Sequence, residues 1–213
     1  MAVRLLRLVL RKKIVIGVVG LAALAVFASL LSYLHWVEAR RRWTTVVDGE
    51  FYQSAKMPPS ELVERAMQHG LRAVIDLRDD EPDNVAAERR ALTEKGIKYK
   101  HLPTQYPPSD DTVRDFVDFL SKLEHRPALV HCSEGEGRSV LFAALYRIHF
   151  EGWSNEQALD GTTRLPAELK FLGALFPGFA DFDPVTVKGQ YVLKYERVTP
   201  EKPGRPKKEN KGQ

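Results

Sequence analysis

The residues best suited to chemistry in this chain lie between 131 and 139, where it reads HCSEGEGRS. Cys132 is the single cysteine among 213 residues, so no intrachain disulfide can engage it. It ends an apolar run, PALVH, and Arg138 stands after five intervening residues at the start of a second apolar run of helical character. A strand that turns through two glycines straight into a helix can aim successive backbone N–H groups inward at the positive helix end. That makes an anion-binding loop of Ser133, Glu134, Gly135, Glu136, Gly137 and Arg138, and the same donors favour a thiolate at Cys132. Arg138 adds a planar fork matched to two phosphoryl oxygens, whose charge as phosphorus becomes five-coordinate needs donors positioned beforehand. The chemistry that fits is attack of sulfur on a phosphate ester, a phosphocysteine intermediate, and its hydrolysis by water, with no metal and no cofactor.

An alkyl ester also needs a proton for its leaving oxygen. Asp110, with Asp111 behind it, is the candidate in TQYPPSDDTV. The competing role for these carboxylates is to complement the dipole of the helix they begin, with Ser109 or Asp110 as its cap. His131 is read as a support that hydrogen-bonds the loop rather than as a base. Asp76 and Arg78, at the end of an apolar strand, either brace the loop or form an ordinary surface ion pair. His69, His101, His125 and His149 lack ligand spacing, so no metal site is expected.

The elements that must hold this loop follow from periodicity. TTVVDGEFYQSAKM reads as two extended pieces around the Asp48-Gly49 turn. SELVERAMQHG is a helix capped by its serine and closed by glycine, and RAVIDL is a strand. A helix over about 85–95 stops at Gly96, and IKYKHLP is a further strand. TVRDFVDFLSKL places Val113, Phe116, Val117 and Leu120 on one helical face, and PALVH is a buried strand. A capping box, Ser154 with Gln157, starts another helix, and Pro166, Pro177 and Pro184 divide a helical remainder that ends near Arg197. Alternating strands and helices imply an α/β fold with a mostly parallel central sheet flanked by helices, in which ligands bind at the carboxyl ends of strands. Cys132 is at such an end.

Ahead of this domain, residues 14–37 carry no Asp, Glu, Lys or Arg. As a helix they would run roughly 36 Å, enough to cross a hydrocarbon core. The run is longer than the apolar core of a cleaved signal and ends in Tyr33, Trp36 and Arg40–Arg42, so an uncleaved anchor is expected. Five Lys or Arg precede it and three follow, which favours the folded domain on the extracytoplasmic side, the periplasmic face of a bacterial inner membrane. A bare thiol outside the cytoplasm is open to oxidation, which argues for the cytoplasmic side. The expected organisation is a basic segment 1–13, an anchor 14–37, a catalytic domain 44–198 and a disordered basic tail 199–213. The net charge of +4 comes with basic residues crowded at the two ends, and no basic, aromatic-interleaved face points to nucleic acid.

HCSEGEGRS resembles the signature loop of the cysteine-dependent protein tyrosine and dual-specificity phosphatases: His, Cys, five residues, Arg, then Ser or Thr. VVDGEFYQSAKMPPSEL, GLRAVIDLR and GIKYKHLP are similar to successive landmarks of their bacterial dual-specificity-like branch, so the resemblance covers about residues 44–165. It implies that Cys132 is the nucleophile, that Arg138 binds phosphate, and that the hydroxyl of Ser139 eases release of the thiolate. Three departures stand out. Gly137 and Val140 replace the Asp and Gly that flank the Arg-Ser/Thr pair in many members, and Thr104 falls near the usual place of the acid. Glu134 and Glu136 add negative charge, which disfavours heavily phosphorylated substrates.

The leading function is therefore a membrane-anchored phosphatase acting on phosphotyrosine, phosphoserine or lipid phosphate, with a phosphorylated protein or phospholipid as partner. The acidic loop and the unsettled identity of the acid keep a second class open, a phosphate-binding membrane adaptor without turnover. Sulfur transfer of the rhodanese kind is a third, against which the His-Cys and Arg-Ser frame argues.

Overall fold

Alternating apolar residues on short strands set the architecture of the computed structural model, which describes residues 2–38, 41–162, 182 and 184–198. The chain divides into two units, Met1–Arg42 and Trp43–Gln213. The first contains helix α1 (Ala2–Glu38). Its stretch Arg11–His35 has a mean hydropathy of 2.7 and no buried residue. The helix does not begin where the apolar run does. It continues through the basic segment, whose Leu, Arg and Lys are good helix formers.

In the second unit a five-stranded sheet is ordered β1-β2-β5-β3-β4. β1 (Thr44–Val47) and β2 (Phe51–Ala55) form the expected antiparallel pair, with Gly49 at φ 68° in the turn. β3 (Ala73–Asp76), β4 (Lys98–His101) and β5 (Ala128–Cys132) join in parallel, with β5 between β2 and β3. Between them run α2 (Pro59–Gln68), α3 (Pro82–Thr93) and α4 (Asp110–Leu120). After β5 come α5 (Arg138–Phe150), α6 (Asn155–Asp160) and α7 (Val187–Leu193).

The period of two along each strand sorts side chains to the two faces. Phe51, Ala73, Ile75, Ala128, Val130 and Cys132 join a core with residues of α4, α5, α6 and α7. Tyr52, Val74 and Leu129 join the smaller core under α2 and α3 with Leu62, Ala66 and Leu92. Thus Cys132 faces α5, and its neighbour His131 belongs to the opposite face.

Most expected elements are present, with three local differences. α2 starts at Pro59 with Pro58 in the cap position and no side-chain cap, so Ser60 lies inside the helix; a proline fixed at helical φ begins it instead. α3 likewise starts at Pro82, ahead of residue 85. The final helix ends at Leu193 rather than near Arg197. Ser154 and Gln157 form the expected reciprocal cap. Pro166, Pro177 and the tail 199–213 lie outside the described residues.

Candidate active site

Strand β5 delivers Cys132 to the end of the sheet, and α5 starts with Arg138, so the loop between them is closed by two regular elements. Gly137 occupies the cap position of α5, so no side chain of the cap residue covers the N–H groups of the first turn. The loop folds back on the sulfur: the N–H of Gly135 donates to Cys132 Sγ at 3.3 Å, and Ser139 Oγ lies 3.3 Å from the same atom. Gly135 has φ 69°, and a Cβ there would stand 2.6 Å from the Ala55 nitrogen. Only glycine allows the loop to rest on the end of β2. There the N–H of Lys56 donates to the Ser133 carbonyl at 3.2 Å.

Cys132 and Arg138 line one cavity of about 550 Å³ with Ser133, Glu134, Glu136 and Gly137. Asp79, Thr104, Gln105, Tyr106 and Lys188 complete its wall. Arg138 Nη1 donates to Asp79 Oδ1 at 2.6 Å, to the Leu77 carbonyl at 3.0 Å and to the Thr104 carbonyl at 3.2 Å, while Nη2 reaches Ser133 Oγ at 3.4 Å. The guanidinium beside Asp79 holds that carboxyl below the usual carboxylate range.

Asp110 is placed elsewhere. It begins α4, where Ser109 is the cap and accepts from the Thr112 N–H. Asp110 lines a neighbouring cavity with Pro107, Tyr191, Lys194 and Tyr195; Tyr106 borders both cavities. Asp111 pairs with Arg114 at the surface. The positions nearest Thr104 carry no carboxylate, as the sequence indicates.

His131 does not hydrogen-bond the loop. The strand turns its ring to the face under α3, where Nε2 lies 3.3 Å from Glu88 Oε2 and 3.9 Å from Asp76 Oδ1. Asp76 and Arg78 are no surface pair: both are buried, joined through Arg78 Nη2 to Asp76 Oδ2 at 2.7 Å, and the same nitrogen lies 2.7 Å from Glu88 Oε2. Tyr99 donates to Asp76 Oδ2 at 2.6 Å. Burial pushes the Asp76 carboxyl up, but the Arg78 hydrogen bonds, the nearby His131 and Tyr99 outweigh it and hold the group at about 2. Asp76, Glu88 and His131 bring potential metal-ligand atoms within 4.8 Å of one another. The Arg78 guanidinium already bridges the two carboxylates, so a cation of the protein's own fills that role.

Several side chains at the site were not singled out by the sequence, Asp79 among them. Gln53 donates through Nε2 to the Gly135 carbonyl at 2.8 Å and to Ser139 Oγ at 3.0 Å. Its signal was a lone amide in the otherwise core-facing strand FYQSA. Glu88 lies on the buried stripe of α3 with Val85 and Leu92, an acidic residue at a core position. Lys188 comes from a helix far along the chain and carried no local signal.

Known proteins resemble this chain to differing extents. The family model described as DSP-PTPase phosphatase fused to NAD+ kinase matches residues 38–170. The dual specificity protein phosphatase TpbA of Pseudomonas aeruginosa is 29% identical over 117 residues, 53% of this chain and 50% of that protein. The chain thus spans about half the length of the relatives it matches. The crystal structure of P. aeruginosa TpbA aligns with a TM-score of 0.52 at 25% identity, covering 70% of this chain and 81% of that one. A cysteine-to-serine form of TpbA in complex with pTyr aligns with a TM-score of 0.50 at 25% identity, over 68% and 80% of the two chains. The core catalytic domain of a PP-IP phosphatase from S. cerevisiae, at 16% identity and a TM-score of 0.52 over 72% of this chain and 85% of that one, shares the fold alone. With more than half of its length matched by the family model, this chain belongs to the DSP-PTPase family, within the cysteine-dependent dual-specificity phosphatase superfamily.

Proposed function

We propose that this protein is a membrane-anchored phosphatase that hydrolyses phosphate monoesters through a phosphocysteine intermediate. The observation that carries the reading is the sulfur of Cys132, held by the Gly135 N–H and beside Ser139 Oγ, in one cavity with Arg138. Sulfur attacks phosphorus, the S–P bond forms and the P–O bond to the leaving group breaks. Arg138 and the loop amides of residues 133–138 hold the equatorial oxygens. Water then attacks phosphorus, passing a proton to the carboxylate that earlier protonated the leaving oxygen, and the S–P bond breaks as the thiolate departs towards the Ser139 hydroxyl.

The proton for the leaving oxygen is assigned to Asp110. Asp79 lines the cavity but its carboxylate is engaged by the Arg138 guanidinium, and Asp110 lines the adjoining cavity that shares Tyr106. Asp110→Asn is expected to slow alkyl phosphates far more than activated aryl phosphates, because only the former need the proton.

Helix α1 is proposed to anchor the protein in a membrane, with the catalytic domain 44–198 on the extracytoplasmic side. The substrate is a phosphorylated protein or a phospholipid, with phosphotyrosine the first to try because the TpbA complex holds pTyr; phosphoserine and lipid phosphate are the other arms. The deciding experiment is a phosphate-release screen of the full chain in detergent against phosphopeptides and phospholipids. Release abolished by Cys132→Ser and blocked by vanadate is the expected result. Phosphoryl-ligand binding without release would make the protein an adaptor instead. Protease accessibility in sealed vesicles assigns the side of the membrane.

A further inference from the structure

We infer that Gln53 is a positioning residue that fixes the direction of the hydrogen bond between Ser139 and Cys132, so that the hydroxyl donates and the sulfur accepts. The contact of 3.3 Å between Ser139 Oγ and Cys132 Sγ can be made either way, since each group carries a hydrogen and lone pairs. Gln53 removes the choice. Its amide faces the Gly135 carbonyl at 2.8 Å, and a carbonyl can only accept, so the atom there is the NH2 nitrogen and not the oxygen. The same nitrogen is 3.0 Å from Ser139 Oγ, so its second hydrogen is given to the serine. A hydroxyl that already accepts on that side turns its own hydrogen elsewhere, and the sulfur is the acceptor in reach.

The three side chains are buried. Gln53, Ser139 and Cys132 are 2%, 0% and 3% exposed, and an unmade hydrogen bond in such a place is costly. Gln53 is brought there by the sheet: β2 lies beside β5 with Gln53 opposite Val130 and Ala55 opposite Cys132, which puts residues 53 and 55 on the Cys132 face. One neutral amide therefore holds both residues that touch the sulfur, Gly135 by the carbonyl that follows its N–H and Ser139 by its hydroxyl. A donor aimed at sulfur favours the thiolate over the thiol. It also receives the thiolate that leaves when the phosphocysteine is hydrolysed. That second consequence rests on the phosphatase reading above; the first does not.

The test is the pH dependence of alkylation of Cys132 by iodoacetamide in the full chain, which needs no turnover. Gln53→Met removes both N–H donors at similar length without adding charge. The charged groups around the thiol stay the same: Asp79 from the β3–α3 loop, Glu134, Glu136 and Arg138 from the loop and α5, Lys188 from α7, and His131 beside it on β5. Alkylation at neutral pH is expected to slow about five- to tenfold, with its midpoint moved to higher pH, as losing one buried donor would do. In a Ser139→Ala background the same substitution is expected to have a clearly smaller effect, because the part that runs through the hydroxyl is already lost and only the hold on Gly135 remains. Gln53→Leu serves where the methionine variant does not fold. If a folded Gln53 variant alkylates like the wild type, or if its effect persists in full without the Ser139 hydroxyl, the inference is overturned. Failure of phosphate release in the wild type would overturn the phosphatase reading and leave this measurement standing. If the wild type does turn over, kcat is expected to fall with KM little changed.

Discussion

Asp79 accepts a 2.6 Å hydrogen bond from Arg138, the residue whose guanidinium is proposed to hold the phosphoryl group. The bond is one of three made by Nη1; the others go to the carbonyls of Leu77 and Thr104 and belong to the backbone. Removing the carboxylate therefore leaves the guanidinium anchored but takes away a negative charge that competes with an oxyanion for it. Asp79→Asn is expected to tighten vanadate inhibition about two- to fivefold, within the roughly 1 kcal/mol that a partly exposed ion pair is worth. Titrating inhibition in the two proteins checks it, and weaker inhibition in the variant would mean that Asp79 orients Arg138 instead of competing.

The loop and its flanking strand and helix were legible because one short segment carries all of their signals: an apolar run, two glycines, and a second apolar run. Asp110 was legible only as a carboxylate near a turn. Its distance from the Cys132 cavity depends on where α4 starts, and the cap at Ser109 decides that. His131 was given the wrong contact because the strand alternation that turns Cys132 towards α5 turns its neighbour away, and a continuously apolar run such as PALVH hides that alternation. Gln53 and Lys188 come from β2 and α7, and only the order of the strands and the packing of the last helix bring them to the loop.

Lys188 gives the cavity a second cation, set against Glu134, Glu136 and Asp79 on the same walls. Its ammonium is 3.4 Å from the place where a side chain at Gly137 would begin. Lys188→Ala is expected to raise KM for an aryl phosphate about two- to fivefold at low ionic strength, with kcat nearly unchanged. The difference should shrink with added salt, since exposed charges are screened. Steady-state kinetics at two salt concentrations checks both parts.

The buried network below the loop should appear in acid stability. Asp76 titrates at about 2 in the folded protein against an ordinary 3.8, so its charged form is favoured by folding. That contribution is complete above the ordinary value and is lost as pH falls from about 4 towards 2, at up to roughly 1.4 kcal/mol per pH unit. Asp76→Asn is expected to flatten this part of the acid-unfolding profile. It should also lower stability at neutral pH by about 3 kcal/mol, because Arg78 stays buried with one carboxylate fewer. Thermal unfolding of the two proteins across pH 2–7 measures both effects.

Two glycines at positive φ separate backbone strain from loop closure. Gly96, at φ 74°, ends the helix region before β4 and has nothing within 4 Å of the position a Cβ would take. Gly96→Ala should cost only the left-handed conformation, about 1–2 kcal/mol, and leave oxyanion binding intact. Gly135, at φ 69°, has the same strain, but its Cβ would stand 2.6 Å from the Ala55 nitrogen and 2.9 Å from its Cα. These are backbone atoms of the sheet end and cannot rotate aside. The loop must lift from β2, which pulls the Gly135 carbonyl from Gln53 and its N–H from the sulfur. Gly135→Ala is therefore expected to lower the thermal midpoint about as much as Gly96→Ala or more, and, unlike it, to weaken vanadate binding at least about tenfold, the worth of one or more lost charge-assisted hydrogen bonds. Equal vanadate affinity in the two variants would mean that the contact with β2 does not hold the loop in its binding shape.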